Sequence, residues 1–186
     1  MVLSTPIRSL SEFLKLPETK PASEYIDGVI VQKPMPQGKH STLQIALASQ
    51  INLRGEPQHS AYAFPELRCT FGGRSIVPDI SVFNWERIPL DENGEVLNRI
   101  EIVPDWAIEI LSPEQPTTRP MDNLLFCIRQ GTSLGWLIDP QERLVFVFQR
   151  DRLPETRTGD DRLCVLPAIA EWELTVNHLF HWLRFG

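Results

Sequence analysis

Apolar and polar positions repeat with two different periods along the chain, and prolines and glycines separate the segments. Apolar residues at i, i+3, i+4 and i+7 indicate one face of a helix, whereas alternation with a period of two indicates a strand. Helices are predicted from the capping box at Ser9 to Pro17, over 39–54, over 120–130, and near the C-terminus from Val176. Short strands are predicted within 25–32, 62–71, 76–85, 106–111, 134–138, 144–148 and 163–166.

Each of the two longer helices carries an apolar stripe. The first is predicted to bury Leu43, Leu47 and Ile51 or Gln50, and to end at Gly55. The second is predicted to end at Gly131 and to bury a stripe formed by Met121, Leu124, Leu125 and Ile128. Together the elements predict an α/β (α+β) fold, with a central mixed sheet flanked by helices.

Composition narrows the classes of function. The 186 residues carry a formal charge of −6, which argues against a general cationic surface for nucleic acid. One domain over 1–186 is expected, with 1–20 as an N-terminal helical extension. No segment has the length of a membrane span, and residues 1–20 lack a signal peptide, so a cytoplasmic protein is expected. Of the 18 basic residues only four are lysines, namely Lys15, Lys20, Lys33 and Lys39.

Two acidic residues lie in apolar surroundings. Asp79 follows Pro78 inside a strand-like segment, and Glu109 interrupts the apolar run 106–111. A buried acid needs an ion pair or a metal ion, so both are candidates for a functional site. The alternative is that each lies at a strand end, solvated or paired with an arginine. Glu24, before the first predicted strand, is a third candidate with the same alternative of a surface acid.

Carboxylates that converge from neighbouring strands form an oxygen-rich site. Such a site suits Mg²⁺ or Mn²⁺, which bind one or two carboxylates together with water and a substrate phosphate. A pair of carboxylates could also serve a glycosidase, but no cluster of aromatic residues accompanies the acids in the sequence, so this function is ranked low.

The order of motifs resembles one bacterial family. It runs from Glu24-Tyr-Ile-Asp-Gly28 through Pro34-x-Pro36-x-x-x-His40 and Pro78-Asp79 to Glu109-Ile-Leu-Ser-Pro113, Gly131 and Leu137-Ile-Asp-Pro140. This order is similar to that of the restriction-endonuclease-like proteins abundant in photosynthetic bacteria, which belong to the PD-(D/E)XK nuclease superfamily. The resemblance extends from about residue 10 to the C-terminus.

The resemblance implies a restriction-endonuclease-like fold and a set of site residues. Asp79 and Glu109 match the paired metal-binding acids, and Glu24 matches the N-terminal glutamate of the pattern. The main-chain carbonyl of Ile110 would be a further metal ligand, and His40 matches the histidine at the start of the first long helix. A homodimer is also implied.

One feature of the pattern is missing. The superfamily uses a lysine beside the metal-binding acids, usually two residues after the second acid, where this chain has Leu111. In the family this lysine lies instead in the following helix, at the position of Asn123. No lysine follows Lys39, so we consider Arg119, Lys39 and Asn123 itself as replacements. Arginine stays protonated and would stabilise negative charge without acting as a base.

Two functions are therefore carried forward. The first is a metal-dependent endonuclease that hydrolyses phosphodiester bonds of DNA or RNA, with DNA favoured. Its catalytic set would be Asp79, Glu109, Glu24, Asn123 and His40. The second is a catalytically inactive protein of the same fold, acting as a dimeric nucleic-acid-binding or interaction module.

Overall fold

A computed structural model describes residues 9–113 and 115–186 of the chain. The helices are α1 (Leu10–Phe13), α2 (Gly38–Gly55), α3 (Thr118–Gln130) and α4 (Val176–His181). The strands are β1 (Ser23–Ile26), β2 (Val29–Gln32), β3 (Ala61–Pro65), β4 (Cys69–Phe71), β5 (Arg74–Ile76), β6 (Ile80–Asn84), β7 (Trp106–Ile110), β8 (Leu134–Asp139), β9 (Leu144–Gln149) and β10 (Glu155–Thr158). The capping box at Ser9 does open α1, but residues 1–8 of the predicted extension lie outside the described residues.

The strands form two sheets. The large sheet has six strands in the order β10-β9-β8-β7-β6-β3, and the small sheet has four in the order β2-β1-β5-β4. In the large sheet β7 and β8 are parallel, while the other neighbouring strands are antiparallel. The mixed α/β arrangement predicted from the sequence is thus confirmed, but with a second sheet beside the central one.

Successive side chains of the central strand β7 point alternately into two hydrophobic cores. Trp106, Ile108 and Ile110 face a core that includes the buried residues of α2 and α4. Ala107 belongs to a second core, which includes apolar side chains of α3. Because strand side chains point alternately to opposite faces, Glu109 lies on the same face of the sheet as Ala107. The acid is therefore directed to the side on which α3 packs.

Helix α2 buries the predicted stripe, since Leu43, Leu47 and Ile51 have no exposed surface. Its last residue, Gly55, lies against the backbone of the next strand. A Cβ atom at this position would lie 2.1 Å from the carbonyl oxygen of Ala61. Gly55 is thus required by a close approach of two backbone segments. It does not act as a left-handed cap, because the C-cap of α2 is Glu56 in a right-handed conformation.

Three strand predictions differ from the structure. Segment 62–71 divides into β3 and β4, which belong to different sheets, because the chain turns away after Pro65. Segment 76–85 breaks between β5 and β6 at Pro78, which has no N–H to donate to a sheet. Segment 163–166 is not a strand, whereas 155–158, which was not among the predicted strands, forms the edge strand β10.

The buried face of α3 also differs from the prediction. It contains Pro120, Asn123, Leu124, Phe126 and Cys127, whereas three residues of the predicted stripe are only half-buried. The helix packs against β7, β8 and β9 of the large sheet, and Asn123 also reaches Glu24 of the small sheet. The buried face of α3 is consequently rotated from the predicted stripe, so that it includes Asn123.

Among the described residues, no helix has the length and apolar character needed to cross a membrane.

Candidate functional site

Three buried acids meet where the two sheets come together. Glu24 lies in β1 of the small sheet, Glu109 lies in β7 of the large sheet, and Asp79 follows Pro78 at the passage from one sheet to the other. Each of them is exposed by no more than 3%. The fold therefore brings together the three carboxylates that were selected from the sequence.

A lysine lies among these acids. The ammonium group of Lys33 is 2.7 Å from Oδ1 of Asp79 and 3.1 Å from Oε2 of Glu109. It also donates to the carbonyl oxygen of Val77 at 2.7 Å. These three contacts match the three N–H groups of an ammonium ion.

The position of Lys33 follows from the β1–β2 hairpin. The register of this hairpin pairs Glu24 with Val31, and Lys33 lies two residues farther along the chain. The ladder continues beyond β2, because the N–H of Lys33 donates to the carbonyl of Ala22. Residues two apart on a strand share a face, so Lys33 projects on the same side as Glu24.

Both carboxylate oxygens of Asp79 and its main-chain carbonyl have polar partners. The N–H of Ile110 donates to its Oδ2 at 2.7 Å, and Nε2 of His40 lies 3.0 Å from the same oxygen. Its main-chain carbonyl accepts from Nε2 of Gln44 and from the N–H of Glu66. His40 and Gln44 are one turn apart on α2, so this helix fixes both the side chain and the backbone of Asp79.

Glu24 is held by α3 and by the chain before Asp79. Its Oε1 accepts from the N–H of Val77 at 2.8 Å. The side-chain amide of Asn123 donates to both oxygens of Glu24, at 3.4 and 3.2 Å. Asn123 is not a member of the predicted apolar stripe of α3, but it is buried and is a direct partner of a site acid.

The electrostatics of the three acids are unequal. Burial raises the pKa of Glu109 well above its usual range, and although Lys33 opposes this effect, Asp79 and Glu24 add to it. Burial acts on Asp79 in the same direction, but Lys33 and His40 outweigh it and hold its pKa below the usual value. For Lys33, burial favours loss of the proton, yet the attraction of the three acids raises its pKa.

Two cavities meet at Lys33. The first, of about 500 Å³, is lined by Asp79, His40 and Ile110 among others. The second, of about 430 Å³, is lined by Glu24, Glu109, Asn123 and Arg119 among others. Lys33 lines both cavities, and 16% of its side chain is exposed.

The replacements considered for the missing lysine are placed differently. Arg119 lies at the rim of the second cavity without an ion pair to a site acid in the described part of the chain. Lys39 is exposed and lines a separate cavity with Ser112 and Asp139. Lys33 was not among the residues selected from the sequence, although a hairpin that turns at Asp27-Gly28 places it on the same face as Glu24.

The donor set fits a hard divalent cation in part. Oε1 of Glu109 is buried and has no hydrogen-bond partner among the described residues, so one carboxylate oxygen is free to bind an ion. The cluster contains three acids and one lysine, so a bound cation would balance its remaining negative charge. Within 9–113 and 115–186, however, no three His, Cys, Asp or Glu side chains are grouped closely enough to hold a metal ion by themselves.

Comparisons with known proteins extend over most of the chain. The family model Uma2, described as "Putative restriction endonuclease", matches residues 10–177. A crystal structure from Anabaena variabilis, described as a putative nuclease belonging to DUF820, is similar to this chain with 54% sequence identity and a TM-score of 0.93. The match covers 95% of this chain and 99% of that chain. No curated protein matches the chain. The close structural match confirms the predicted fold class.

Proposed function

Because this chain belongs to the Uma2 family, we propose that it is a metal-dependent endonuclease that hydrolyses phosphodiester bonds. The observation that supports the proposal is the cluster of Glu24, Asp79 and Glu109, three buried carboxylates contributed by both sheets. Burial of several acids costs free energy, and proteins keep such clusters mainly where they bind ions or perform chemistry.

Asp79, Glu109 and the main-chain carbonyl of Ile110 would hold the ion, which we propose to be Mg²⁺ or Mn²⁺. The free Oε1 of Glu109 supports this choice, and the remaining positions would be taken by water and substrate phosphate. A divalent ion bound there supplies polarisation of the phosphate and a more acidic water. Glu24 would complete the acidic ring.

The chain's own residues would prepare the site for this chemistry. The N–H of Ile110 and the ring of His40 orient the carboxylate of Asp79, and Asn123 orients that of Glu24. Ligating carboxylates that are themselves hydrogen-bonded lose little entropy on binding a metal ion. We propose DNA rather than RNA as the substrate, a homodimer as the assembly and the cytoplasm as the location, all of which follow from the family resemblance or the composition.

A second candidate function is supported by Lys33. Its ammonium makes three contacts within the protein and already lies between Asp79 and Glu109. An internal cation of this kind could neutralise the acids permanently, and the protein would then be an inactive, dimeric nucleic-acid-binding module of the same fold.

Metal titration and cleavage assays separate the two functions. An active nuclease is expected to bind Mn²⁺ or Mg²⁺, to gain thermal stability from the ion, and to cleave single- or double-stranded DNA or RNA. Asp79→Ala should abolish both binding and cleavage, whereas Glu142→Ala, at an exposed position, should change neither. Binding of nucleic acid without metal binding or cleavage would favour the inactive module. Light scattering would test the dimer.

A further inference from the structure

The missing lysine leaves two positions without positive charge. One is Leu111, two residues after Glu109, and the other is Asn123 in α3. Leu111 is an apolar member of the core beside α3, and the amide of Asn123 is directed to Glu24. Neither side chain can stabilise a negatively charged phosphate by its own charge.

Lys33 provides a positive charge in the same cluster from the opposite side. It reaches the acids from the end of β2, whereas Asn123 reaches them from α3, and both line the second cavity with Glu24 and Glu109. Of these two residues, only Lys33 also lines the first cavity, with Asp79 and His40. Lys33 therefore borders both cavities, with 16% of its side chain exposed, while its ammonium contacts two of the acids.

We infer that Lys33 is the catalytic lysine of this site, delivered by the β1–β2 hairpin instead of by β7 or α3. The inference rests on the proposed function. In hydrolysis, a water oxygen bonds to phosphorus as the bond to the leaving oxygen breaks; the water releases a proton to solvent, and the leaving oxygen takes one up. Lys33 transfers no proton. Its fixed charge stabilises the additional negative charge on the phosphate oxygens in the transition state.

The other basic residues are less suited to this role. Arg119 lines the second cavity, and within 9–113 and 115–186 it forms no ion pair with Asp79. Lys39 is exposed beside a separate cavity. Lys33 is the one described lysine or arginine that contacts both Asp79 and Glu109. A charge that touches both acids is placed next to any phosphate that approaches an ion held by them.

A purely structural role for Lys33 makes a different prediction. If the lysine only neutralises the buried acids, a divalent ion can take over that task, and the variant without the lysine should cleave normally once metal saturates it. If the lysine stabilises the transition state, saturation with metal does not restore the rate.

The experiment compares Lys33→Met and Lys33→Gln with the wild type and with Lys39→Met as the matched control. Gln keeps two N–H donors for Val77 and Asp79, so it guards against a failure of the Met variant to fold, which thermal unfolding would reveal. Mn²⁺ affinity is measured by calorimetry, and kcat and KM are measured at saturating Mn²⁺. The substrate is a panel of single- and double-stranded DNA and RNA oligonucleotides.

The folded Lys33 variants are expected to bind Mn²⁺ at least as tightly as the wild type, because a competing cation has been removed. Their kcat should fall by about 10²–10³-fold with little change in KM. K39M should retain wild-type values. The kcat of the double variant K33M/N123K should be at least tenfold higher than that of K33M, because the second substitution returns a lysine to the same cluster.

Two outcomes overturn the inference and can be told apart. If the wild type cleaves and the Lys33 variants cleave equally fast at saturating Mn²⁺, Lys33 has no catalytic role, but the proposed function stands. If the wild type cleaves no member of the panel with any divalent ion, the proposed function is wrong, and the role of Lys33 falls with it.

Discussion

The side-chain amide of Asn123 donates to both carboxylate oxygens of Glu24, across the boundary between α3 and the small sheet. Both residues are 3% exposed or less, so water cannot replace this contact easily. At the position where the family resemblance implies a lysine, the asparagine thus binds an acid through a neutral group.

Replacement of Asn123 by alanine should destabilise the protein. Glu24 would keep the N–H of Val77 but would lose its other donor, and a buried carboxylate with an unmet hydrogen bond costs about 1–3 kcal/mol. Urea denaturation in the presence of EDTA measures this difference. Asn93→Ala, at an exposed position, is the control and should change stability by less than about 0.5 kcal/mol. Equal effects of the two variants would contradict the role given to Asn123.

Glu109 should make the metal-free protein less stable as the pH rises. Its pKa in the folded state is raised above the ordinary value of 4.5, so the folded state holds a proton that the unfolded state has released. The stability associated with that proton is complete below pH 4.5 and is lost as the pH rises through the folded pKa.

Glu109→Gln removes this dependence. The free energy of unfolding of the variant minus that of the wild type should be smallest near pH 4.5 and should grow toward pH 8 in EDTA. Urea titrations at several pH values measure the difference. Glu142→Gln, an exposed counterpart, should give a difference that does not vary with pH. A flat profile for Glu109→Gln would show that its carboxyl is not perturbed.

His40 should strengthen metal binding without being a ligand. Its Nε2 contacts Oδ2 of Asp79, and removal of such a partner commonly lowers metal affinity by about 10–100-fold. Calorimetric titration of His40→Ala with Mn²⁺ tests this expectation. His59→Ala is the matched control, because His59 stacks on Trp85 and contributes to neither cavity. An unchanged affinity in the His40 variant would mean that the carboxylate is oriented by other groups.

Gly55 should not tolerate a side chain. A Cβ atom would lie 2.1 Å from the carbonyl oxygen of Ala61. Because this oxygen belongs to the backbone, it cannot move aside as the end of a flexible side chain could. Gly55→Ala is expected to lower the free energy of unfolding by about 1–3 kcal/mol, as measured by urea denaturation. Gly38→Ala, at the other end of α2, has nothing within 4 Å and should be neutral or slightly stabilising.

The sequence was most informative where burial and charge conflict. Asp79, Glu109 and Glu24 were selected as acids in apolar or strand-like surroundings, and the structure brings all three together. Their catalytic and metal-binding roles stay predictions. The family resemblance itself is confirmed by the match over residues 10–177.

What the sequence did not reveal depends on contacts between distant elements. Lys33 contacts residues 46 and 76 positions away, and a charged residue at the end of a short strand looks like an ordinary surface position. The buried face of α3 was misjudged for a related reason. Hydrophobicity alone cannot indicate that a polar residue such as Asn123 is buried against an acid of another sheet.

The β1–β2 hairpin carries one negative and one positive member of the site, Glu24 and Lys33. These two charges cancel, so the hairpin adds no net charge to the cluster. Its third charged residue, Asp27, pairs with Arg74 of β5. A shift of the hairpin as a unit would leave the net charge of the cluster unchanged, although it would redistribute that charge. The position of the hairpin should therefore depend mainly on its hydrogen bonds and packing, and salt should weaken chiefly the ion pair of the exposed Asp27 with Arg74.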